Sequence, residues 1–199
     1  MKKIFVLFFL VLILAGMAAA QQEAASLQDY HQTRLSIQKN GMLTLAGWAA
    51  GNMIVSGWAM QSAQGSNYRF HQMNVFWNVV NMAIAAGGYF GLPESSEIVP
   101  LTQTVTEYQN FNKILLLNAG LDVAYIMTGL YMKERAKNVD KRKAMLKGYG
   151  NSIMLQGGFL FLFDMALYFI NQGELNGILN SEQWQLIASP SGLGLTISL

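Results

Sequence analysis

The sequence has no cysteine, only three prolines and little charge in its 199 residues. The absence of cysteine excludes disulfides, thiol catalysis and zinc sites built on thiolates. Charged residues make up 12% of the chain, about half the share of an average soluble domain, whereas 52% of the residues are hydrophobic. The two histidines, His31 and His71, lack metal-ligand neighbours at helical spacing. We therefore expect no metal and no cofactor.

The chain also lacks the usual features of catalytic and nucleic-acid-binding sites. It contains no phosphate-binding loop, no nucleophile paired with a base and no basic surface with interleaved aromatic residues. We therefore expect neither an enzyme nor a nucleic-acid partner. The net charge is +2, but the positive residues are concentrated in one segment. Such clustering indicates membrane orientation rather than an acidic partner.

The first twenty residues have the three parts of a secretory signal. Lys2 and Lys3 form a basic start, an unbroken apolar run follows, and three alanines end the segment. The pattern predicts a signal peptide over residues 1–20 that is cleaved after Ala20, with an uncleaved anchor as the alternative. In both cases Gln21 lies outside the cytoplasm.

Four apolar stretches follow, each close to the roughly 20 residues that cross a bilayer as a helix. None of the four contains lysine or arginine. A soluble protein of this size would have too little polar surface to cover four such helices. The expected organisation is a signal peptide (1–20), an amphipathic outer segment (21–40), a four-span membrane domain (41–179, with spans at 41–60, 73–92, 114–132 and 148–170) and an outer C-terminal tail (180–199).

The charges between the spans predict the orientation of the chain. Seven lysines and arginines against two acids lie between the third and fourth spans, whereas acids dominate the second connection and the tail. Short loops as basic as this one stay in the cytoplasm. The pattern predicts a multi-pass protein of the bacterial inner membrane with both termini on the outer, periplasmic side, in agreement with the signal segment.

The fold class that these patterns predict is all-α, a four-helix transmembrane bundle with amphipathic extensions on the outer side. A faint internal repeat accompanies it. Residues 45–48 in the first span resemble 118–121 in the third, and residues 81–84 in the second resemble 164–167 in the fourth. Such matches imply two tandem hairpin repeats, related by an axis along the membrane normal.

One part of the sequence resembles a known family. The run FNKILLLNAGLDVAYIMTGLYMKERAKN at 111–138, followed by Gly-Tyr-Gly at 148–150 and Gln-Gly-Gly-Phe at 156–159, resembles a family of small, uncharacterised bacterial integral membrane proteins. The resemblance covers spans three and four. It implies a membrane protein of unknown function and supplies no catalytic or ligand-binding residues.

Polar side chains recur at helical spacing inside the spans. Asp122 lies near the middle of its span at the depth of Asn52 and Asn81, and Asp164 lies further out. Since a charge in the bilayer is costly, such acids are candidates for a ligand or proton site. Hydrogen bonding between helices is the alternative, with Asp122 as a donor to an asparagine. The candidate site residues are Asp122, Asp164, Asn52, Asn81, Asn118 and Tyr125.

Two functions from different classes fit this sequence. The first is a structural or accessory membrane protein without catalytic activity. The second is a small transporter or a ligand- or proton-binding membrane protein that uses Asp122 and Asp164; an open interior reaching Asp122 would favour it. The expected partners are membrane lipids and a second copy of the chain, through Gly47 and Gly51 spaced as GxxxG.

Overall fold

The structure, a computed structural model, describes residues 2–93 and 99–185, and the side chains of residues 27–93 and 99–180. Within these ranges the chain is helical and contains no strand, so the expected all-α class is confirmed there. The predicted outer C-terminal tail (180–199) lies outside the described residues from position 186 onward. The elements are α1 (Lys2–Ala59), α2 (Gly65–Phe90), α3 (Leu101–Arg135), a 3-10 turn (Ala136–Asn138) and α4 (Lys143–Gln185).

Glycine and proline set several of the helix boundaries. Gly65 begins α2 with a φ of 58°, a left-handed conformation that glycine adopts without strain. Gly91 ends the same helix by donating its N–H to the Gly87 carbonyl at 2.9 Å, and Pro93 follows closely. Pro100 precedes α3, and its carbonyl accepts the Thr104 N–H at 3.0 Å. These residues mark the helix boundaries at which the chain reverses direction.

The four helices pack in the order α1, α2, α4, α3. We call the end that holds the α1–α2 and α3–α4 connections the inner end, and the opposite end the outer end. The backbones of α2 and α3 do not come into contact over the described residues, and α1 touches α3 only slightly. This arrangement leaves a gap between α2 and α3, with α1 and α4 behind it.

Each of the four apolar stretches lies mostly within one helix, although the helices extend well beyond them. Among the described residues, α3 and α4 are long and apolar enough to cross a membrane, and only 22% and 28% of their most apolar windows are buried inside the protein. α1 is unbroken from the signal-like segment to Ala59, and α4 continues past residue 180 to Gln185.

Glycines bring α3 and α4 into backbone contact near the inner end. A Cβ atom on Gly150 would lie 2.7 Å from the Gly129 carbonyl oxygen, and one on Gly157 would lie 3.0 Å from the Asp122 carbonyl oxygen. Any larger side chain would force the two helices apart. Gly47 and Gly51, in contrast, have nothing within 4 Å of a Cβ, so this pair makes no close contact within the described chain.

Candidate ligand-binding site

An amide network links α1, α2 and α4, and Trp48 sets its direction. The indole N–H of Trp48 donates to Gln156 Oε1 at 2.9 Å. An indole can only donate, so the Gln156 oxygen must face it and the Gln156 NH₂ must point away. That NH₂ donates to Asn74 Oδ1. Asn81 Nδ2 also approaches the Gln156 oxygen, at 3.5 Å.

The donor-to-acceptor order of these hydrogen bonds continues towards the inner end. With its oxygen occupied, Asn74 donates through Nδ2 to Asn52 Oδ1 at 2.9 Å and to Ser56 Oγ at 2.8 Å. The Asn52 amide then donates to the Trp48 carbonyl at 2.9 Å. His71 Nδ1 lies 3.1 Å from Ser56 Oγ. The chain of bonds therefore runs from the middle of the bundle to the inner end without a charged group.

Asp122 and Asp164 form the second polar feature, a carboxyl pair between α3 and α4. Their exposed fractions are 2% and 5%, and the two side chains lie within interaction range of each other. A hydrogen bond between them needs a proton on one of the two groups. The expected asparagine partner of Asp122 is thus replaced by Asp164, and Asn52, Asn81 and Asp122 do not bond directly to one another.

The sequence predicts that Asp164 lies further out in the membrane than Asp122. The direction of the two side chains reduces this difference. Side chains in a helix lean towards its N-terminus. Because α3 and α4 run antiparallel, Asp122 leans towards the outer end and Asp164 towards the inner end, so the two carboxyl groups meet. Counting residues along the spans treats side chains as perpendicular to the helix axis and misses this.

A cavity of about 400 Å³ occupies the gap between α2 and α3 and reaches the carboxyl pair. It brings together five of the six candidate site residues: Asn81, Asn118, Asp122, Tyr125 and Asp164. The sixth, Asn52, lies in the amide network and does not line the cavity. The remaining lining residues are apolar or aromatic: Met42, Leu45, Trp77, Val80, Ile84, Gly88, Phe111, Ile114, Leu115, Leu121, Leu160, Phe163 and Leu167.

Two polar residues at this cavity, Asp122 and Asn81, present hydrogen-bond acceptors, whereas Asn118 and Tyr125, which also line it, carry donors as well. Asp122 Oδ2 is buried and accepts no bond from an amide, hydroxyl or cation among the described residues. The Asn81 NH₂ is directed to Asn78 and Gln156, which leaves its oxygen as the free group. Beside them Trp77 and Tyr125 meet edge to face, with centroids 4.8 Å apart.

A second cavity, also about 400 Å³, continues the first towards the outer end. The two share Met42, Gly88, Phe111 and Ile114 as lining residues. Its outer edge is closed by the ion pair of Arg34 and Glu107, whose Nη2 and Oε2 atoms lie 2.6 Å apart. The gap between α2 and α3 is therefore one groove from the carboxyl pair to the outer end.

The outer end has its own polar contacts, around an apolar cluster. Asn171 Nδ2 donates to Asn112 Oδ1 at 2.7 Å, and Asn112 Nδ2 donates to Gln172 Oε1 at 2.6 Å. The Tyr108 hydroxyl donates to the Tyr30 carbonyl at 3.2 Å. The ring of Tyr108 packs with Leu175 and Ile178.

Sequence reasoning missed Trp48, Ser56 and Gln156 as site-forming residues. A detectable signal was present, since Trp48, Asn52 and Ser56 follow each other at every fourth residue of α1, and Gln156 precedes Asp164 by two helical turns. No cluster of three or more metal-ligating side chains occurs within the described part of the chain. The site is therefore built from amides, two carboxyls and aromatic rings.

Comparison with known proteins gives one match. The model of a family of unknown function, DUF6992, matches residues 44–165, more than half of the chain. The matched region includes the inner amide network and the carboxyl pair. No curated protein and no solved structure matches the chain.

Proposed function

The chain belongs to the DUF6992 family, whose function is unknown, and we propose that it is a non-catalytic, four-span integral membrane protein that binds a small lipophilic molecule between α2 and α3. The observation that carries this proposal is the cavity of about 400 Å³ that ends at the buried carboxyl pair. Ligand pockets in proteins span about 300–1,000 Å³ and are mostly apolar with a few polar groups.

The composition of α2 alone does not require a membrane location. The side of the helix on which its polar residues lie, however, supports one. Its buried residues are Asn74, Asn78, Asn81 and Ala85, whereas its exposed residues include Phe76, at 63% exposure. A helix of a soluble protein buries its apolar face and exposes its polar one. The reverse pattern suits a helix surrounded by lipid.

The exposed apolar side chains form a band that includes all four helices. Among the side chains that the structure describes, all exposed large hydrophobic residues except Leu179 lie within residues 43–58, 76–90, 114–131 and 155–170. Each segment has about 15 to 18 residues, or about 22–27 Å of helix. This approaches the roughly 30 Å thickness of the hydrocarbon core. The band thus supports four spans at nearly the positions expected from the sequence.

The proposed orientation puts both termini outside and the protein in the bacterial inner membrane. Because the chain has no cysteine, single cysteines give unambiguous labelling. We expect Glu174→Cys to react with a membrane-impermeant maleimide in intact spheroplasts, and Lys141→Cys to react only after lysis. Labelling of Lys141→Cys before lysis would contradict this topology.

The cavity favours ligand binding over a purely structural role. A bundle held together only by hydrogen bonds would fill its interior and satisfy its polar groups. Here the buried Asp122 Oδ2 accepts no bond from an amide, hydroxyl or cation among the described residues. The groove also opens sideways between α2 and α3, which lack backbone contact, so a lipophilic molecule can enter from the bilayer.

A cavity-filling substitution tests the proposed binding. Leu160 lines the cavity, and a tryptophan there would occupy space that a ligand needs. We expect native mass spectrometry of the purified protein to show a retained small molecule in the wild type and its loss in Leu160→Trp. The matched control is Leu162→Trp, since Leu162 is 70% exposed on the same helix. Equal retention in both variants would contradict the proposal.

We also propose self-association through the exposed face of α1 that carries Gly47 and Gly51. Neither glycine has a neighbour within 4 Å of a Cβ, so both are available for a close helix contact. Cross-linking in membranes should give a dimer that Gly51→Leu abolishes. A dimer that survives this substitution would place the interface elsewhere.

A further inference from the structure

The chemistry of the cavity identifies the class of ligand more closely, starting from its hydrogen-bonding character. Asp122 Oδ2 accepts no bond from an amide, hydroxyl or cation among the described residues, and the direction of the amide network leaves Asn81 with a free oxygen rather than a free NH₂. Both oxygens accept hydrogen bonds and cannot satisfy each other. A ligand that complements these two oxygens brings donors to them.

The charge of the cavity is the second observation. When the carboxyl groups of Asp122 and Asp164 share one proton, the pair retains one negative charge. Among the described residues the two groups form no ion pair with a cation, and the cavity lining contains no lysine, arginine or histidine. A buried negative charge without a counter-ion is costly. A cationic ligand would neutralise it.

Aromatic rings provide the third observation. Trp77 and Tyr125 line the same cavity as Asp122, and their rings meet at an interplanar angle of 81°. Two rings at a right angle form two walls of the box with which proteins bind organic cations. The remainder of the lining is aliphatic or aromatic, which suits an apolar body attached to the cationic group.

The path to the site favours a molecule that enters from the membrane. Among the described residues that line the groove, the only cation is Arg34 in the outer cavity, and Glu107 pairs with it. An organic cation approaching between α2 and α3 therefore meets a neutralised side chain and then an apolar passage. A small hydrated ion would lose its water there without compensation.

Building on the proposed function, we infer that the ligand is a lipophilic amine, bound as its ammonium ion with the nitrogen at Asp122 and Asp164 and the apolar body in the groove. The ammonium donates to Asp122 Oδ2 and to the Asn81 oxygen. Trp77 and Tyr125 contact its positively charged end. Binding is non-covalent and leaves the amine unchanged.

Three molecules of the same shape test this inference: 1-adamantylamine, 1-adamantanol and 1-adamantanecarboxylate. Calorimetric titration of the full-length mature protein in detergent would measure the affinity of each. We expect the amine to bind at least about tenfold more tightly than the alcohol, and the carboxylate to bind least, because hydrogen bonds to charged partners are stronger than neutral ones.

Variants then attribute the preference to the carboxyl pair. The double variant Asp122→Asn/Asp164→Asn should lose at least about tenfold in amine affinity and keep the affinity for the alcohol, which also reports that it is folded. Asp140→Asn, which removes an exposed loop carboxylate, is the matched control and should change neither. If the double variant fails to fold, Trp77→Leu provides the second test and should weaken amine binding more than alcohol binding.

The outcomes separate this inference from the proposed function on which it rests. If the alcohol binds as tightly as the amine and Leu160→Trp blocks both, the cavity binds ligands and the amine assignment is wrong. If none of the three molecules binds to the wild type, both proposals fail. Amine binding that is unaffected by the double variant would also overturn the assignment, because it would place the cation elsewhere.

Discussion

The inner and outer halves of this bundle differ in the side chains that they expose. The inner half buries asparagine, glutamine and aspartate and exposes leucine, valine and phenylalanine. The outer half buries an apolar cluster around Tyr108 together with polar residues such as Asn171 and Arg34, and it exposes polar residues such as Asn110 and Lys113. Both halves belong to the same long helices, so the difference does not come from secondary structure.

This difference in exposed side chains fits the proposal that the inner half faces lipid and the outer half faces water. A surface in contact with lipid gains nothing by hiding apolar side chains, and the interior can then hold amides that bond between helices. A surface in contact with water drives apolar residues inside. The change occurs between Lys113 and Ile114 on α3, where an exposed cation is followed by an exposed isoleucine.

The close contact between α3 and α4 at the inner end leads to the largest expected effect. At the inner end α3 and α4 touch at Gly129 and Gly150. Gly129→Leu should therefore destabilise the bundle by about 3 kcal/mol or more, since the whole helix pair must separate. Gly120→Leu on the same helix, where a Cβ meets nothing within 4 Å, should have little effect. Thermal unfolding in detergent measures both, and equal melting temperatures would refute the close inner packing.

The ion pair at the outer end is expected to have the next largest effect. Glu107→Gln leaves Arg34, which is 5% exposed, without its counter-charge. Loss of one partner of a buried pair costs about 3–5 kcal/mol, and because the Glu107 side chain is 31% exposed we expect about 2 kcal/mol. The double variant Arg34→Met/Glu107→Gln should recover much of the stability. Double-variant unfolding that equals the sum of the two single losses would contradict the pairing.

Two glutamines, one in each half, are expected to give the smallest effects on stability and compare the two halves directly. Gln156 bonds to Trp48, Asn74 and Asn81, so Gln156→Leu should cost about 1–2 kcal/mol at about 0.6 kcal/mol per bond in a membrane interior. Gln172→Leu removes a bond to Asn112 near the water-exposed end, where water can replace it, and should cost less. Chemical unfolding of both variants compares them. The reverse order would mean that the inner network is accessible to water.

The sequence allowed much of the site to be expected because its chemistry is local. Asp122, Asn81, Asn118 and Tyr125 stand out as polar residues inside apolar helices, and the cavity contains all four. Gln156 was missed, although it lies inside the fourth apolar stretch, because its spacing from Asp164 does not show which residue of another helix it contacts. Its role depends on a tryptophan 108 positions away in the chain.

The partner of Asp122 could not be deduced from residue counts. It depends on the antiparallel arrangement of α3 and α4, the glycine contacts that bring the two helices together, and the lean of each side chain towards its own N-terminus. The cavity is likewise invisible in the sequence, because it lies in a gap between α2 and α3, whose backbones do not come into contact.

The sequence by itself determined the helical class, the four apolar stretches and the polar residues within them, because hydrophobic periodicity and charge placement act over a few helical turns. Only the tertiary structure decided which polar groups meet and where space remains. Those properties depend on the order in which the helices pack and on their rotation about their own axes. Neither is encoded by any single segment, so the carboxyl pair and its cavity emerge only when all four helices are assembled.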